Sequence, residues 1–176
     1  MTTRTMTLAA MLTALLCIVG PLTLPIGPVP VSLLTAVLLL TAMLLGGRLA
    51  VLACGVYLLL GLLGLPVLSG FTGGAGQFVG PTGGYLVGYL PMTFLAGAVC
   101  ARTDDCRFQA LVFIAATILL YAVGTVWYCM QSGVTAGAAC LVCVLPFLPF
   151  DAVKIAAVLA IGPRLKRRLR RLRLLS

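Results

Sequence analysis

The sequence predicts an all-α integral membrane protein with six transmembrane helices and both termini in the cytoplasm. Apolar residues make up 62% of the 176 residues and charged residues only 9%, and the mean hydropathy is +1.21. A soluble domain of this length needs far more charge on its surface, so the bilayer is the expected solvent. At about 20 residues per span, six spans with short loops use nearly the whole chain. The sequence contains no GxxxxGK[ST] phosphate loop, so a nucleotide-binding fold must lie on another chain.

The apolar runs predict the helices one by one. The first is expected at 6–19; its run could pass for a signal peptide, but no convincing small-x-small cleavage site follows. The run GPLTLPIGPVP (20–30) is too rich in proline and glycine for a regular helix. The other helices are expected at 31–45, 49–63, 83–101, 108–130 and about 134–161, with a glycine-rich connection at 65–81 and an interruption at Pro146 and Pro149.

The basic residues indicate the orientation of these helices. If the N-terminus is inside, Arg4, Arg48, Arg102 and Arg107 all lie on the cytoplasmic side, together with seven of the twelve basic residues, which fall between positions 164 and 173. The outer connections contain no charge. This asymmetry favours an even number of spans with both termini cytoplasmic. We expect a membrane domain at 1–163 and a basic cytoplasmic tail at 164–176, which contacts anionic lipid or a partner protein rather than nucleic acid.

The cysteines predict no metal or redox site. There are seven of them, an odd number, and Cys140 and Cys143 form a CxxC pair. The chain has no histidine and no second CxxC pair, so a four-ligand zinc site has too few candidates. Cysteines in apolar runs usually pack as small hydrophobes. We therefore expect no metal, no cofactor and no catalytic residue.

One pair of opposite charges lies inside an apolar run. Asp151 and Lys154 occur in LPFLPFDAVKIAAVLAIG, three residues apart and hence on one helix face. Isolated charges at membrane depth cost several kcal/mol and usually face a cavity or one another. The pair is either polar groups of a ligand cavity or a mutually neutralising structural pair. A proton relay with one carboxylate and no histidine is a poor third reading.

Two neighbouring features favour the cavity. Pro146 and Pro149 interrupt the helix just before Asp151, and non-helical backbone at membrane depth is tolerated where it lines a cavity. In the segment from Ser69 to Tyr85, eight of seventeen residues are glycine or proline, which permits tight turns and close backbone approach. This segment is expected to form a lid or cap over a ligand; helix packing with an N-cap at Thr82 is the alternative.

Three runs resemble a known family. IGPVPVSLLT (26–35), LLLGLLGLPVLSGFTGGAGQFVGPTGGYLVGYL (58–90) and LPFLPFDAVKIAAVLA (145–160) are similar to segments of BioY proteins, the biotin-specific S components of energy-coupling factor (ECF) transporters. The resemblance covers about residues 9–163. It implies six helices, biotin bound near the outer face, and transport driven by an ECF module of two ATPases and a transmembrane coupling protein. It also implies a coupling role for Ala10 and Ala14, which match the family's AxxxA signature on the first helix.

The resemblance also implies which residues bind the substrate. Asp151 and Lys154 match the family's acidic and basic positions for biotin, although which end of biotin Lys154 meets stays open. The other residues implied are Phe71, Thr72, Gly73, Gly74, Gln77 and Tyr85, with the two aromatics as apolar walls. Some family members add an asparagine and an arginine to the site. This chain has no asparagine and no arginine at 58–90, so Thr72, Gln77, Tyr85 or backbone amides must replace them.

Other functions follow from the same residues. Within the transporter class, the alternatives are an S component for another vitamin and a solitary biotin carrier. An intramembrane enzyme would use Asp151 as acid or base and a cysteine as nucleophile, but it would lack both histidine and a second carboxylate. In a structural or assembly subunit, the charged pair would only fix helix register.

Overall fold

The protein is almost wholly helical in a computed structural model that describes residues 3–24 and 31–172. The helices are α1 (Thr3–Val19), α2 (Leu34–Leu45), α3 (Gly47–Leu62), α4 (Ala75–Val79), α5 (Gly83–Cys100), α6 (Cys106–Ser132), α7 (Ala136–Cys143) and α8 (Leu148–Arg171). Two-residue strands β1 (Thr23–Leu24) and β2 (Val31–Ser32) pair antiparallel, and Ser69–Phe71 form a 3-10 turn. The expected all-α class is thus confirmed. Most of the proline-rich run, 25–30, and Arg173 lie outside the described residues.

The helix boundaries differ from the expected ones at three places. The second helix begins at Leu34 and not at position 31, because Val31 and Ser32 pair with β1 as a strand. The Ser32 hydroxyl then accepts a hydrogen bond from the Leu34 amide. The expected connection at 65–81 contains the short helix α4. The last helix does not end near 161: α8 continues to Arg171 through Pro163.

The expected interruption at Pro146 and Pro149 is confirmed. Helix α7 ends at Cys143, and α8 begins at Leu148 with Pro149 in its first turn, where a missing backbone N–H costs nothing. The Asp151 amide then donates to the Phe147 carbonyl at 2.8 Å. The break therefore sets the start of the helix that carries the charged pair.

Helix α5 lies at the centre of the packing, against α2, α3 and α6. Glycine allows these close approaches: a Cβ at Gly84 would lie 2.2 Å from Cβ of Trp127 on α6, and one at Gly97 would lie 2.7 Å from the Gly47 amide nitrogen at the α2–α3 turn. Helix α1 packs on α2 and α3, and α8 packs on α2 and α6. Backbone contact at small residues is the usual packing device in lipid.

Within the part of the chain that the structure describes, two helices, α5 and α6, are long and apolar enough to cross a membrane by length and composition. Helices α1, α2 and α3 are apolar but shorter; the 12 residues of α2 rise about 18 Å, less than the roughly 30 Å of a bilayer core. The number of spans therefore stays a prediction.

The two ends of the bundle differ in charge. One, here called the charged end, brings together the α2–α3 turn before Arg48, the α5–α6 turn at 102–105 and the last turns of α8; Lys166 donates to the Cys100 carbonyl at 2.7 Å there. The connection at 65–82 and the start of α8 meet at the other end, where they line a common cavity.

Candidate binding site

A polar cavity lies between α2, α3, α5, α6 and the start of α8. It holds about 750 Å³ of atom-free space, counting the space at its mouth. Its polar lining residues are Ser32, Thr35, Tyr57, Ser69, Gln77, Thr82, Tyr85, Tyr89, Tyr121, Asp151 and Lys154. Its walls are completed by Leu34, Leu68, Leu86, Leu120 and Phe147. This mixture of apolar walls and converging polar groups is typical of a small-molecule site.

The charged pair lies in the wall of this cavity. Lys154 Nζ is 2.7 Å from Asp151 Oδ1, and each residue is only 7% exposed. Their spacing on α8 places both side chains on one face, as expected from the sequence. Asp151 is also in the first turn of α8, where the positive end of the helix dipole stabilises a carboxylate.

Two hydroxyls from other helices complete the network. The Tyr121 hydroxyl on α6 donates to Asp151 Oδ2. The Thr35 hydroxyl on α2 lies 3.4 Å from Asp151 Oδ1, to which it donates, and accepts from Lys154 Nζ at 3.2 Å. The carboxylate thus accepts three hydrogen bonds, and the ammonium donates two of its three. Three helices therefore fix the orientation of one ion pair.

Tyr85 and Gln77 are the other expected site residues that reach the cavity. The ring of Tyr85 packs directly over Gly124 of α6, where an added Cβ would lie 2.4 Å from the ring. Tyr85 is 7% exposed and provides an aromatic wall. Gln77 lies on α4 and brings an amide to the cavity from the connection at 65–82.

Phe71, Thr72, Gly73 and Gly74 do not line the cavity. Phe71 is 67% exposed and has a positive φ of 59°, and the Thr72 hydroxyl donates to the Ser69 carbonyl at 2.8 Å. The two glycines lie against α3 and its end. The Gly74 amide donates to the Gly61 carbonyl at 2.7 Å, and a Cβ at Gly73 would lie 2.3 Å from the Leu65 carbonyl oxygen.

The same segment is also tied to the chain after α1 and to α6. The Gly70 amide donates to the Pro21 carbonyl at 3.2 Å, and the Ser69 hydroxyl donates to the Thr23 hydroxyl at 3.1 Å. Trp127 Nε1 donates to the Gly80 carbonyl at 2.9 Å. Thr82 occupies the N-cap position of α5 but makes no side-chain cap bond there, and it lines the cavity instead.

Sequence reasoning missed Tyr121 and Thr35. Tyr121 interrupts an apolar run with a hydroxyl, and an unpartnered hydroxyl at that depth is costly, which was a usable signal. Thr35 ends the IGPVPVSLLT run that carries the resemblance, but nothing in its spacing pairs it with α8. Their role depends on which helices are neighbours, and that information is absent from local sequence.

Ala10 and Ala14 lie outside this cavity, on the exposed face of α1. They line an apolar groove between α1 and α3, together with Met6, Ala9, Thr13, Cys17, Ile18, Leu52, Val56 and Leu60. Met6 and Ile18 are 56% and 66% exposed. The groove is thus open along its length and apolar.

The cysteine side chains described in residues 3–24 and 31–172 form neither a metal-ligating group nor a disulfide. No group of three or more histidine, cysteine or acidic side chains is placed to hold a metal ion there. In the same ranges, six cysteines are free thiols, and Cys140 is exposed. The side chain of its CxxC partner Cys143 is outside the description.

Fold and site together define a helical protein built around a buried polar cavity with an ion pair in its wall. Compared with known proteins, the chain matches the family model "BioY family" over residues 1–171. The chain belongs to the BioY family, and the resemblance noted in the sequence is confirmed. It is accordingly a membrane-embedded member of a transporter family and not an enzyme.

Several relatives of this chain are named as biotin transporters or probable biotin transporters. It is 34% identical to the biotin transporter BioY of Thermotoga maritima, in an alignment that covers 90% of this chain and 94% of the relative. It is 32% identical to the probable biotin transporter BioY of Pyrococcus horikoshii, covering 94% and 98%. Among solved structures, the crystal structure at 2.1 Å of the S-component for biotin from an ECF-type ABC transporter matches with a TM-score of 0.88 and 32% identity over 95% of each chain.

Proposed function

We propose that this chain binds biotin in the cavity around Asp151 and Lys154 and delivers it across the membrane as the substrate-capture subunit of an ATP-driven ECF-type transporter. One observation carries the proposal: a buried ion pair, oriented by hydroxyls of two other helices, in the wall of a cavity. Placing charged side chains inside the membrane costs free energy, so such residues usually serve a function such as ligand binding. The names of the relatives supply the identity of the ligand.

The ureido ring of biotin is the end that suits the ion pair. Among residues 3–24 and 31–172, partners for Lys154 leave one of its N–H donors free, and partners for Asp151 use three of about four acceptor positions, which leaves about one acceptor. A ureido group presents an N–H beside a C=O, which matches one acceptor beside one donor. The pair is neutral as a whole, so it favours a neutral group over a carboxylate, which Asp151 would repel.

The valerate carboxylate then extends toward Gln77 and Thr82. Both residues line the cavity, one from α4 and one at the start of α5. The N-terminus of this 18-residue helix favours an anion. These groups are proposed to replace the asparagine that the chain lacks and the arginine that is missing from positions 58–90. Tyr85 is assigned to the apolar wall, and Phe71, Thr72, Gly73 and Gly74 to the segment that covers the ligand.

Calorimetric titration of the purified chain with biotin, thiamine and riboflavin tests the ligand. We expect saturable binding of biotin and none of the other two vitamins. Binding of thiamine or riboflavin in place of biotin would make the chain an S component for another vitamin. No binding of any of the three would overturn the proposal.

Delivery requires the orientation and the partner that the sequence indicates. We infer six spans in a bacterial plasma membrane with both termini cytoplasmic, a membrane domain at 1–163 and a basic tail at 164–176. Lys166, at the start of that tail, lies at the same end of the bundle as Arg102 of the α5–α6 turn and Arg107 in the first turn of α6, as the positive-inside rule favours. The groove at Ala10 and Ala14 is open and apolar, which suits a helix of a transmembrane coupling protein, with two ATPases completing the module.

Uptake assays separate coupling from binding. Ala14→Leu fills the α1 groove, so we expect it to abolish ATP-dependent biotin uptake with a co-expressed ECF module and to leave biotin binding unchanged. Ala115→Leu, at an exposed site on α6 outside the groove, is the matched control and should retain uptake. Equal uptake by both variants would contradict the coupling surface. Uptake without any module would make the chain a solitary carrier.

A further inference from the structure

A second polar pocket lies at the charged end of the bundle, away from the cavity. It is formed by α2, the α5–α6 turn, the start of α6 and the last turns of α8, and it holds about 530 Å³ of atom-free space counting its open side. Its polar lining residues are Asp104, Gln109, Lys166, Arg167 and Arg170. None of them takes part in the cavity network.

Cationic groups outnumber the carboxylate in this pocket. Lys166 is 7% exposed and donates to Asp104 Oδ1 and to the Cys100 carbonyl, both at 2.7 Å. Arg170 Nη1 donates to Asp104 Oδ2 at 2.9 Å. The Arg167 side chain makes no ion pair or hydrogen bond within the described part of the chain. Asp104 therefore balances one of the three positive charges in the pocket. The start of α6 adds no free positive end, because the Asp105 carboxylate caps it by accepting from the Arg107 amide at 3.0 Å.

Gln109 adds an acceptor that has no donor. The residue is 2% exposed and lines the pocket, and its Nε2 donates to the Thr103 carbonyl at 2.8 Å. Its Oε1 is buried and finds no hydrogen-bond partner in residues 3–24 and 31–172. A buried acceptor without a donor costs about 1–3 kcal/mol. The pocket thus combines free cationic donors with one acceptor that requires an O–H or N–H.

We propose that this pocket binds a phosphate group with a hydroxyl close by. The phosphate pairs with Arg167 and the free N–H groups of Arg170, and the hydroxyl donates to Gln109 Oε1 as the side chain adjusts toward the pocket. Arginine holds phosphate through paired N–H groups, and basic pockets between membrane helices bind anionic headgroups. A phosphoglycerol lipid headgroup and a soluble glycerol phosphate both carry this chemistry. The site is independent of biotin binding.

Native mass spectrometry of the purified chain tests the proposal with three lipid probes. Phosphatidylglycerol has the charge and the hydroxyl, phosphatidylmethanol has the charge alone, and phosphatidylcholine is zwitterionic. We expect phosphatidylglycerol to be retained best, and Arg167→Gln to weaken its retention about tenfold, the size of one charged hydrogen bond. Arg168→Gln, the same substitution one position along α8 at an exposed residue outside the pocket, should behave as the wild type.

The outcomes separate the parts of the proposal. Equal losses in Arg167→Gln and Arg168→Gln would show diffuse attraction to a basic surface and overturn the pocket. Equal retention of phosphatidylglycerol and phosphatidylmethanol would overturn the hydroxyl contact at Gln109. Displacement of the lipid by millimolar glycerol 3-phosphate would identify a soluble phosphate as the occupant, and persistence of the lipid adduct would identify the headgroup. Both substituted arginines are exposed, so both variants should elute as the wild-type species.

Discussion

Helix α8 carries a buried lysine near each of its ends, and the carboxylates paired with the two lysines have opposite surroundings. Lys154–Asp151 and Lys166–Asp104 have the same N–O distance of 2.7 Å. The side chain of Asp151 is 10% exposed, whereas that of Asp104 is 62% exposed. Water screens the second pair and hardly reaches the first, so equal geometry does not mean equal energy.

The difference also separates their roles. Asp104 joins the α5–α6 turn to the last turns of α8 and keeps access to solvent. Asp151 has three protein donors from three helices and faces a cavity. An ion pair that costs free energy to bury and is held in one orientation is suited to ligand recognition. An ion pair with a solvent-exposed carboxylate mainly links the two structural elements that carry it.

The largest expected effect distinguishes the two lysines. Lys154→Met leaves a buried carboxylate without its counter-ion, so we expect it to lower the free energy of unfolding by about 3 kcal/mol. Lys166→Met leaves Asp104 with Arg170 and water, and we expect a loss of about 1 kcal/mol. Thermal unfolding of both variants in detergent measures the difference.

A double variant controls for charge. Asp151→Asn combined with Lys154→Met removes both charges, so most of the stability lost in Lys154→Met should return while biotin affinity stays below that of the wild type. Equal destabilisation by Lys154→Met and Lys166→Met would contradict the contrast between the two pairs.

A smaller effect is expected at Tyr121. Tyr121→Phe removes the hydroxyl that donates to Asp151 Oδ2 and leaves a buried carboxylate oxygen with one donor fewer. We expect a loss of about 1–2 kcal/mol in stability and about tenfold in biotin affinity. Tyr128→Phe on the same helix, outside the cavity, is the matched control. An unchanged affinity in Tyr121→Phe would remove this hydroxyl from the site.

The smallest effect is a pH dependence at the charged end. Hydrogen bonds from Lys166 and Arg170 hold the pKa of Asp104 below its ordinary 3.8. A carboxyl with a lowered pKa contributes its full stability above pH 3.8 and loses it as the pH falls through the folded-state pKa. Because Asp104 is largely exposed, we expect only about 0.5 kcal/mol. Unfolding of the wild type and Asp104→Asn between pH 2.5 and 6 measures it; parallel curves would contradict a stabilising role for this carboxylate.

Local sequence was sufficient for the helices and for the charged pair. Apolar runs bounded by glycine and proline locate the helices to within a few residues, because their termini depend on local backbone chemistry. The pair at Asp151 and Lys154 is visible because charge is rare in an apolar run. The end of α8 was not predicted, because the helix continues through Pro163 to Arg171. In this last part Lys166 is buried and donates to the Cys100 carbonyl, a tertiary contact that local sequence does not reveal.

The rest of the site depends on which helices are neighbours. Thr35 and Tyr121 reach Asp151 over 116 and 30 positions of sequence, and no local pattern predicts such contacts. The glycine-rich segment was recognised, but its residues divide: Gln77 and Tyr85 line the cavity, whereas Phe71 points into solvent-accessible space at 67% exposure. Composition identifies such a segment without saying which side chains turn inward.

The central claim is that the ion pair of α8 holds the ureido end of biotin, and a combined ligand and protein substitution tests it most directly. Affinities for biotin, 2-iminobiotin (ureido oxygen replaced) and biotin methyl ester (carboxylate neutralised) are measured by calorimetry in the wild type and in Lys154→Met. We predict that the wild type prefers biotin over 2-iminobiotin by at least about tenfold. In Lys154→Met that preference should fall to about twofold or less, with the penalty for the methyl ester unchanged. If Lys154→Met instead removes the methyl ester penalty and keeps the preference over 2-iminobiotin, Lys154 meets the carboxylate end and the claim is wrong.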